Sequence, residues 1–167
     1  MSEILIQPML ARDLRRCSEI TELNGEYYWT TKEIREARRE GYGMVAHSRS
    51  IAVAFVIYRK PGELIEIDTL QVHPTYQRFG IGSRLLDRLT SKVEGSGRTQ
   101  ILTMQADERS LATHLFLSAN GFVATEIISE GWDENVDSYV FDYDRDSSQE
   151  ALKKRAERMR LAARNGS

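Results

Sequence analysis

The residues best suited to chemistry lie in the run from Val72 to Ser83, V-H-P-T-Y-Q-R-F-G-I-G-S, where a strand-like segment gives way to a helix-like one. Gly80 and Gly82 have no Cβ, so the backbone there can turn tightly and come close to a ligand. A helix opening at that point directs its first N–H groups and the positive end of its dipole at an anion. The chemistry is phosphate binding, and a pyrophosphate fits the description. Two nucleotide motifs fail on spacing. A P-loop requires a Lys directly after its second glycine, and neither Gly80 nor Gly82 has one. The dinucleotide fingerprint requires a third glycine where Leu85 stands, and an acidic strand end roughly 20 residues on that is absent.

What does fit is Q-x-x-G-x-G (Gln77, Gly80, Gly82) preceded by V-x-P (Val72, Pro74), which resembles motif A of the GNAT acetyltransferase superfamily. Further along, L-A-T-H-L-F-L-S-A-N-G-F (Leu111 to Phe122) resembles motif B of the same superfamily, a helix running into Gly-Phe and a new strand. With the order of elements, the resemblance covers residues 4 to 144. Within the superfamily the chain is most similar to the ribosomal-protein-alanine N-acetyltransferases of bacteria and related protein N-terminal acetyltransferases.

The resemblance implies acetyl transfer from acetyl-coenzyme A to a primary amine by direct attack, without an acyl-enzyme and without a metal. It implies that Leu70, Gln71 and Val72 align the pantetheine arm through backbone hydrogen bonds, with a backbone N–H near Val72 holding the developing oxyanion. Gln77, Arg78, Phe79, Gly80, Ile81, Gly82 and Ser83 would form the pyrophosphate wrap, and Ser110 and Phe116 would join the cofactor set from the second motif. The acceptor it implies is an amine, with a protein or peptide N-terminus put first. The alternatives are a small-molecule amine acetyltransferase and a non-catalytic acyl-coenzyme A binding module.

Two positions depart from the family. An attacking amine must be neutral; an α-amino group, with a pKa of about 8, loses its proton more easily than a lysine at about 10.4. Relatives often place a Glu or His on the strand before motif B to take that proton, and a Tyr four residues before the motif B glycine to protonate the departing thiolate. Those positions hold Gln105 and Leu117. Glu66 and Asp68 alternate on the strand leading to Val72 and share its face, so they are the candidate bases, Glu66 first. Tyr139, on the last strand, is the candidate acid. Tyr27, Tyr28 and Trp29 are candidates for an acceptor wall. His73 reads as a loop residue without a role, His114 as a helix-surface residue, and Cys17 as a small buried helix residue rather than a nucleophile.

Several elements must position these groups. Ile4 to Gln7 reads as a strand and Leu10 to Leu23 as a helix; Thr30 and Glu33 form a capping box for a helix through Arg39, stopped by Gly41. Met44 to His47 and Ile51 to Tyr58 read as a hairpin, and Leu64 to Val72 as a third strand. After the glycine turn, Leu85, Leu86, Leu89 and Val93 repeat at helical spacing up to Gly95 to Gly97. Strands at Gln100 to Gln105, Phe122 to Ser129 and Ser138 to Tyr143 complete the pattern, with a helix from Arg109 to Ala119. The order β-α-α-β-β-β-α-β-α-β-β predicts an α+β, GNAT-like acyl-coenzyme A N-acyltransferase fold. Its central sheet is mixed but mostly antiparallel, with helices on both faces. Three successive strands before the glycine turn argue against a doubly wound parallel sheet.

With 167 residues, 41% of them hydrophobic, the chain suits one N-acetyltransferase domain, 1–146, followed by a basic helical tail, 147–167. The tail holds six Lys/Arg against two Glu, leaving a net charge of -6 on the body of a chain whose total is -2. An acidic body argues against nucleic acid and suits a cationic acceptor. One cysteine, no signal-peptide pattern and no long apolar run predict a cytoplasmic protein, without a membrane span, acting as a monomer or homodimer. Leu152, Ala156, Met159 and Ala163 give the tail a thin apolar stripe, and the reading is of a solvated helix.

Overall fold

The computed structural model describes residues 3–25, 27–95, 101–143 and 149–165. Seven strands, β1 (Ile4–Pro8), β2 (Tyr42–Ser48), β3 (Ile51–Arg59), β4 (Leu64–Val72), β5 (Ile101–Asp107), β6 (Val123–Asp133) and β7 (Val136–Tyr143), form one sheet in the order β1-β2-β3-β4-β5-β7-β6. Among the described residues five helices accompany them: α1 (Leu14–Asn24), α2 (Thr31–Glu40), α3 (Ile81–Gly95), α4 (Leu111–Ala119) and α5 (Gln149–Asn165). The sheet is mixed: β4 and β5 run parallel, whereas the β1/β2, β2/β3, β5/β7 and β6/β7 pairs are antiparallel. This is the expected GNAT-like architecture. The chain divides into two compact units, Met1–Arg59 with Asp68–Arg88, and Lys60–Ile67 with Leu89–Ser167, so that β4 contributes residues to both.

In the first unit, Leu14, Cys17 and Ile20 of α1 and Ile34 of α2 close over Val45, Phe55 and Ile57. Truncating Leu14, Ile20, Ile34 or Ile57 to Ala would cost about 2–5 kcal/mol. The capping box at α2 forms as predicted: Glu33 N donates to Thr30 Oγ1 at 3.2 Å, and Thr30 N donates to Glu33 Oε2 at 2.7 Å. The first helix begins later than its apolar spacing suggests. Leu10 N donates to the Asp13 carboxylate at 2.9 Å, a short 3-10 turn spans Ala11–Asp13, and α1 starts only at Leu14. Gly25, at φ 76°, caps its C-terminus.

In the second unit, α4 likewise starts at Leu111 rather than Arg109. The Asp107 carboxylate accepts from both the backbone and the side chain of Arg109, at 2.8 and 3.0 Å, which holds the chain in a turn before the helix. Strand β6 extends to Asp133, beyond the expected Ser129.

The tail differs most from its sequence reading. Ala156 of α5 is fully buried among Leu64 and Ile101, with Val123, Met159 and Ala163 packed around them. Arg160, its side chain 14% exposed, grips Asp142, which is fully buried on β7 and also accepts from Thr125. Helix α5 is therefore docked within its unit instead of solvated, because the thin stripe meets a matching apolar surface and a buried carboxylate supplies a counter-charge. The expectations for Gly97, Gln100 and the 146/147 boundary lie outside the described residues, as does the side chain of Leu152. Among the described residues no helix is long and apolar enough to cross a membrane.

Candidate functional site

Strand β4 ends at Val72 and the chain then makes a 3-10 turn over Pro74–Tyr76 before entering α3. His73 shapes this turn. Its backbone N–H donates to Val53 O at 2.8 Å, and its ring Nδ1 accepts from Thr75 N at 3.1 Å. An acceptor nitrogen must be unprotonated. In keeping with this, burial holds the His73 pKa below the ordinary imidazole value, and the Arg16 guanidinium pushes the same way. The histidine read as having no role therefore caps the turn, and its ring meets Tyr76 edge-on.

Past the turn, Arg78 (φ 68°) and Gly80 (φ 76°) both adopt left-handed conformations. Alternation of that kind turns successive N–H groups toward one side, the geometry of an anion-binding nest. The α3 ladder opens with Arg84 N donating to Gly80 O at 3.0 Å, so the N–H groups of Ile81, Gly82 and Ser83 precede it. Ile81 is buried and anchors the helix, whereas Phe79 is 57% exposed. No acidic residue occurs between Val72 and Leu86, while Arg78 and Arg84 do, so the local charge favours an anion. These residues fit a pyrophosphate.

A side-chain network ties this loop to the strand. Asn24, at the end of α1, donates through Nδ2 to Gln71 Oε1 at 2.8 Å and to Val72 O at 3.1 Å. Gln77 Nε2 donates to the same carbonyl at 3.1 Å and to Asn24 Oδ1 at 3.2 Å. Gln71 in turn donates to Thr69 Oγ1 at 3.2 Å. The first unit thus brings Gln71, Val72 and Gln77 together. Asn24 was missed by sequence reasoning, since it lies 48 residues from Val72 and no motif connects them. Gln77 could have pointed to it, because an amide at a fixed place in a loop needs both a donor and an acceptor partner.

Leu70 is half-buried on the same strand. Asp68 is held by Arg59, whose Nε lies 3.0 and 3.1 Å from its two oxygens. Burial raises the Asp68 pKa above the usual carboxylate value, and the Arg59 charge opposes that rise without cancelling it. Of the proposed acceptor wall, Tyr27 and Tyr28 are exposed, while Trp29 packs on the unit's core and its backbone N–H donates to Thr21 Oγ1 at 2.9 Å. Cys17 is fully buried, and burial, reinforced by the Asp13 charge, pushes its thiol up to about 12. A thiolate nucleophile there is ruled out.

The remaining candidates belong to the second unit. Glu66 is half-buried on β4 and pairs in register with Thr103 of β5. Tyr139 is half-buried on β7, opposite Ala106 and Ile127. Its ring stands edge-on to His114 at 5.2 Å. His114 is itself half-buried: Nε2 lies 2.9 Å from Asp107 O and the ring packs on Phe141. It is a positioned residue rather than a surface one. Ser110 precedes α4 and its carbonyl accepts from His114 N at 3.1 Å, and the Phe116 carbonyl accepts from Asn120 Nδ2 at 2.8 Å. Leu117 is fully buried, so the family's acid position is a core position here. Gln105 lies on β5 beside Gly131; a Cβ on that glycine would fall 3.1 Å from its Nε2. Among the described residues, no three His, Cys, Asp or Glu side chains gather as a metal site.

The family model for the GNAT acetyltransferases matches residues 9–122, which span both the glycine turn and the Leu111 to Phe122 helix. The chain belongs to the GNAT acetyltransferase family. As a GNAT protein it is an acetyl-coenzyme A-dependent N-acetyltransferase. Its fold is similar to that of Ard1 from Thermoplasma volcanium, at 19% identity and a TM-score of 0.77, over 84% of this chain and 97% of that one. It is also similar to NAA60 of Arabidopsis thaliana, solved with a bisubstrate analogue, at 18% identity and a TM-score of 0.75, over 87% and 100%. A third similar structure is the ribosomal-protein-S18-alanine N-acetyltransferase of Escherichia coli, at 19% identity and a TM-score of 0.75, over 90% and 99%. No protein of curated function matches this GNAT sequence.

Proposed function

We propose that this GNAT enzyme acetylates the N-terminal amine of a protein or peptide. The observation that carries the acetyl-coenzyme A part of the reading is the loop from His73 to Ser83, shaped by its own side chains into an anion cradle and tied to β4 through Gln77 and Asn24. Among the proteins of similar fold, the S18-alanine enzyme supports a protein acceptor. The single cysteine supports a cytoplasmic setting.

In this reading the backbone N–H groups from Arg78 to Ser83 hold the pyrophosphate of acetyl-coenzyme A, and the Arg78 guanidinium adds a charge-assisted contact. Leu70, Gln71 and Val72 align the pantetheine arm. The Val72 carbonyl accepts from both Asn24 and Gln77, which satisfies both its lone pairs and leaves backbone N–H donation as the contribution of this position to the oxyanion. Ser110 and Phe116 complete the cofactor set. Acetyl-coenzyme A supplies an activated acetyl thioester whose thiol, with a reference pKa of about 8.5, is a fair leaving group. Glu66 takes the proton of the amine. Asp68 is the weaker candidate because Arg59 occupies both its oxygens. Tyr139, oriented by His114, donates the proton that the thiolate needs.

A panel of N-terminal peptides, lysine peptides, polyamines and aminoglycosides, incubated with acetyl-coenzyme A while free thiol is followed, tests this. Release with N-terminal peptides is expected. Release confined to polyamines or aminoglycosides would establish the small-molecule reading instead, and a blank panel would favour the binding module, which Gln105 and Leu117 at the family's acid–base positions would explain. In parallel, Gly82→Glu should abolish thermal stabilisation by acetyl-coenzyme A, because the new side chain blocks backbone approach and adds like charge.

A further inference from the structure

A pocket of about 560 Å³ opens at the β1 edge of the sheet, lined by Glu3, Leu5, Gln7, Arg12, His47, Arg49 and Ser50. It shares no residue with the cofactor set. Glu3, Leu5 and Gln7 alternate along the chain and so present one face, and Leu5 pairs across the ladder with His47. Arg12 comes from the 3-10 turn before α1, and Arg49 and Ser50 are the two residues that turn β2 into β3.

Three features give this pocket a chemistry. Arg12 and Arg49 are exposed, and neither has a carboxylate partner among the described residues, so two guanidinium groups face one lining carboxylate, Glu3. Arg49 (φ 49°) and Ser50 (φ 66°) are both left-handed, a two-residue hairpin turn in which Asn-Gly is the cheaper choice. Here the turn is made from residues that bring a cation and a hydroxyl to the pocket instead. His47, 5% exposed, is fixed by Asp13, whose Oδ1 lies 2.9 Å from its Nε2, while Asp13 Oδ2 accepts from Leu10 N. Both oxygens of Asp13 are thus engaged behind the histidine. His47 Nδ1 is buried with no hydrogen-bond partner. Such orphaned nitrogens are uncommon in a folded protein and call for an explanation.

We propose that this pocket binds a small oxyanion, a phosphate or a carboxylate, clamped by Arg12 and Arg49 with the Ser50 hydroxyl as a further donor. Guanidinium forks match the geometry of both groups, and the volume lies in the range of about 300–1,000 Å³ typical of small-ligand sites. The inference is independent of the acetyl acceptor.

Calorimetric titration of the full chain at constant ionic strength, with inorganic phosphate in one arm and citrate in the other, tests it. Saturable binding of at least one is expected, weakened about tenfold or more by R12Q or R49Q, with acetyl-coenzyme A affinity unchanged in both variants. Binding in the phosphate arm alone would make the ligand a phosphate, and in the citrate arm alone a carboxylate. In a parallel NMR titration with the same two anions the ring nitrogen resonances of His47 should shift, a readout that does not depend on the variants. Absence of saturable heat in both arms, or binding that survives R12Q/R49Q unchanged, would overturn the proposal.

Discussion

Gln77 donates to the carbonyl of Val72 across five residues, at 3.1 Å, so the residue that marks the glycine motif closes the loop back onto the strand that precedes it. Asn24 donates to the same carbonyl from the end of α1. Because Gln77 is exposed, Gln77→Ala should lower stability by no more than about 1 kcal/mol. Loss of loop geometry should still weaken acetyl-coenzyme A binding about tenfold, as read by calorimetry beside urea denaturation. Asn24→Ala should act alike and the double variant less than additively, since the two amides share partners. Stability loss with unchanged affinity would assign the network to folding alone.

The glycine turn and β4 were legible because their signals are local. Gly80 and Gly82 mark a turn, and Pro61-Gly62 marks the start of the strand-like run from Leu64 to Val72, matching the strand observed. Asn24 was not legible, because its role comes from the meeting of elements far apart in sequence. The same holds for Arg160 and Asp142: a stripe of Ala156, Met159 and Ala163 is too thin to predict docking, and only the fold shows a buried carboxylate awaiting the arginine. Helix starts were misjudged at Leu10 and Arg109 for one reason. Asp13 and Asp107 each accept from a backbone N–H nearby, which holds Leu10 and Arg109 in a turn ahead of the helix instead of in its first turn.

Glu66→Gln should lower the acetylation rate by about 10²-fold or more with little change in acetyl-coenzyme A affinity, since a base acts on the transferring proton and not on cofactor binding. Tyr139→Phe should give a smaller loss, because a thiolate can leave without an acid. Steady-state rates beside cofactor titrations separate these effects. Full activity in Glu66→Gln would remove Glu66 from the mechanism and turn attention to a water held by Gln105.

His73 sets a pH dependence. Its folded-state pKa lies below the ordinary value of about 6.5, so below that pH the unfolded chain binds a proton that the folded chain resists. Stability should therefore fall as pH drops from about 6.5 toward the depressed folded value, and level off below it. His73→Asn should flatten that part of the profile, since Asn can accept from Thr75 N without titrating. Urea midpoints between pH 7.5 and 5 supply the comparison, and an unchanged slope in the variant would transfer the effect to another group.

Arg160 supplies the sharpest stability test, because its partner cannot escape to water. Asp142 is fully buried, and among the described residues its side chain accepts from Arg160 and Thr125. Removing one member of such a pair leaves a charge in a low-dielectric setting, so Arg160→Ala should cost about 3–5 kcal/mol. Replacing both members, Arg160→Met with Asp142→Leu, should recover much of that loss, because the orphaned carboxylate goes with its partner. The two outcomes distinguish a docked helix from a solvated one: were α5 free of its unit in solution, Arg160→Ala would shift the urea midpoint hardly at all, whatever the double variant did.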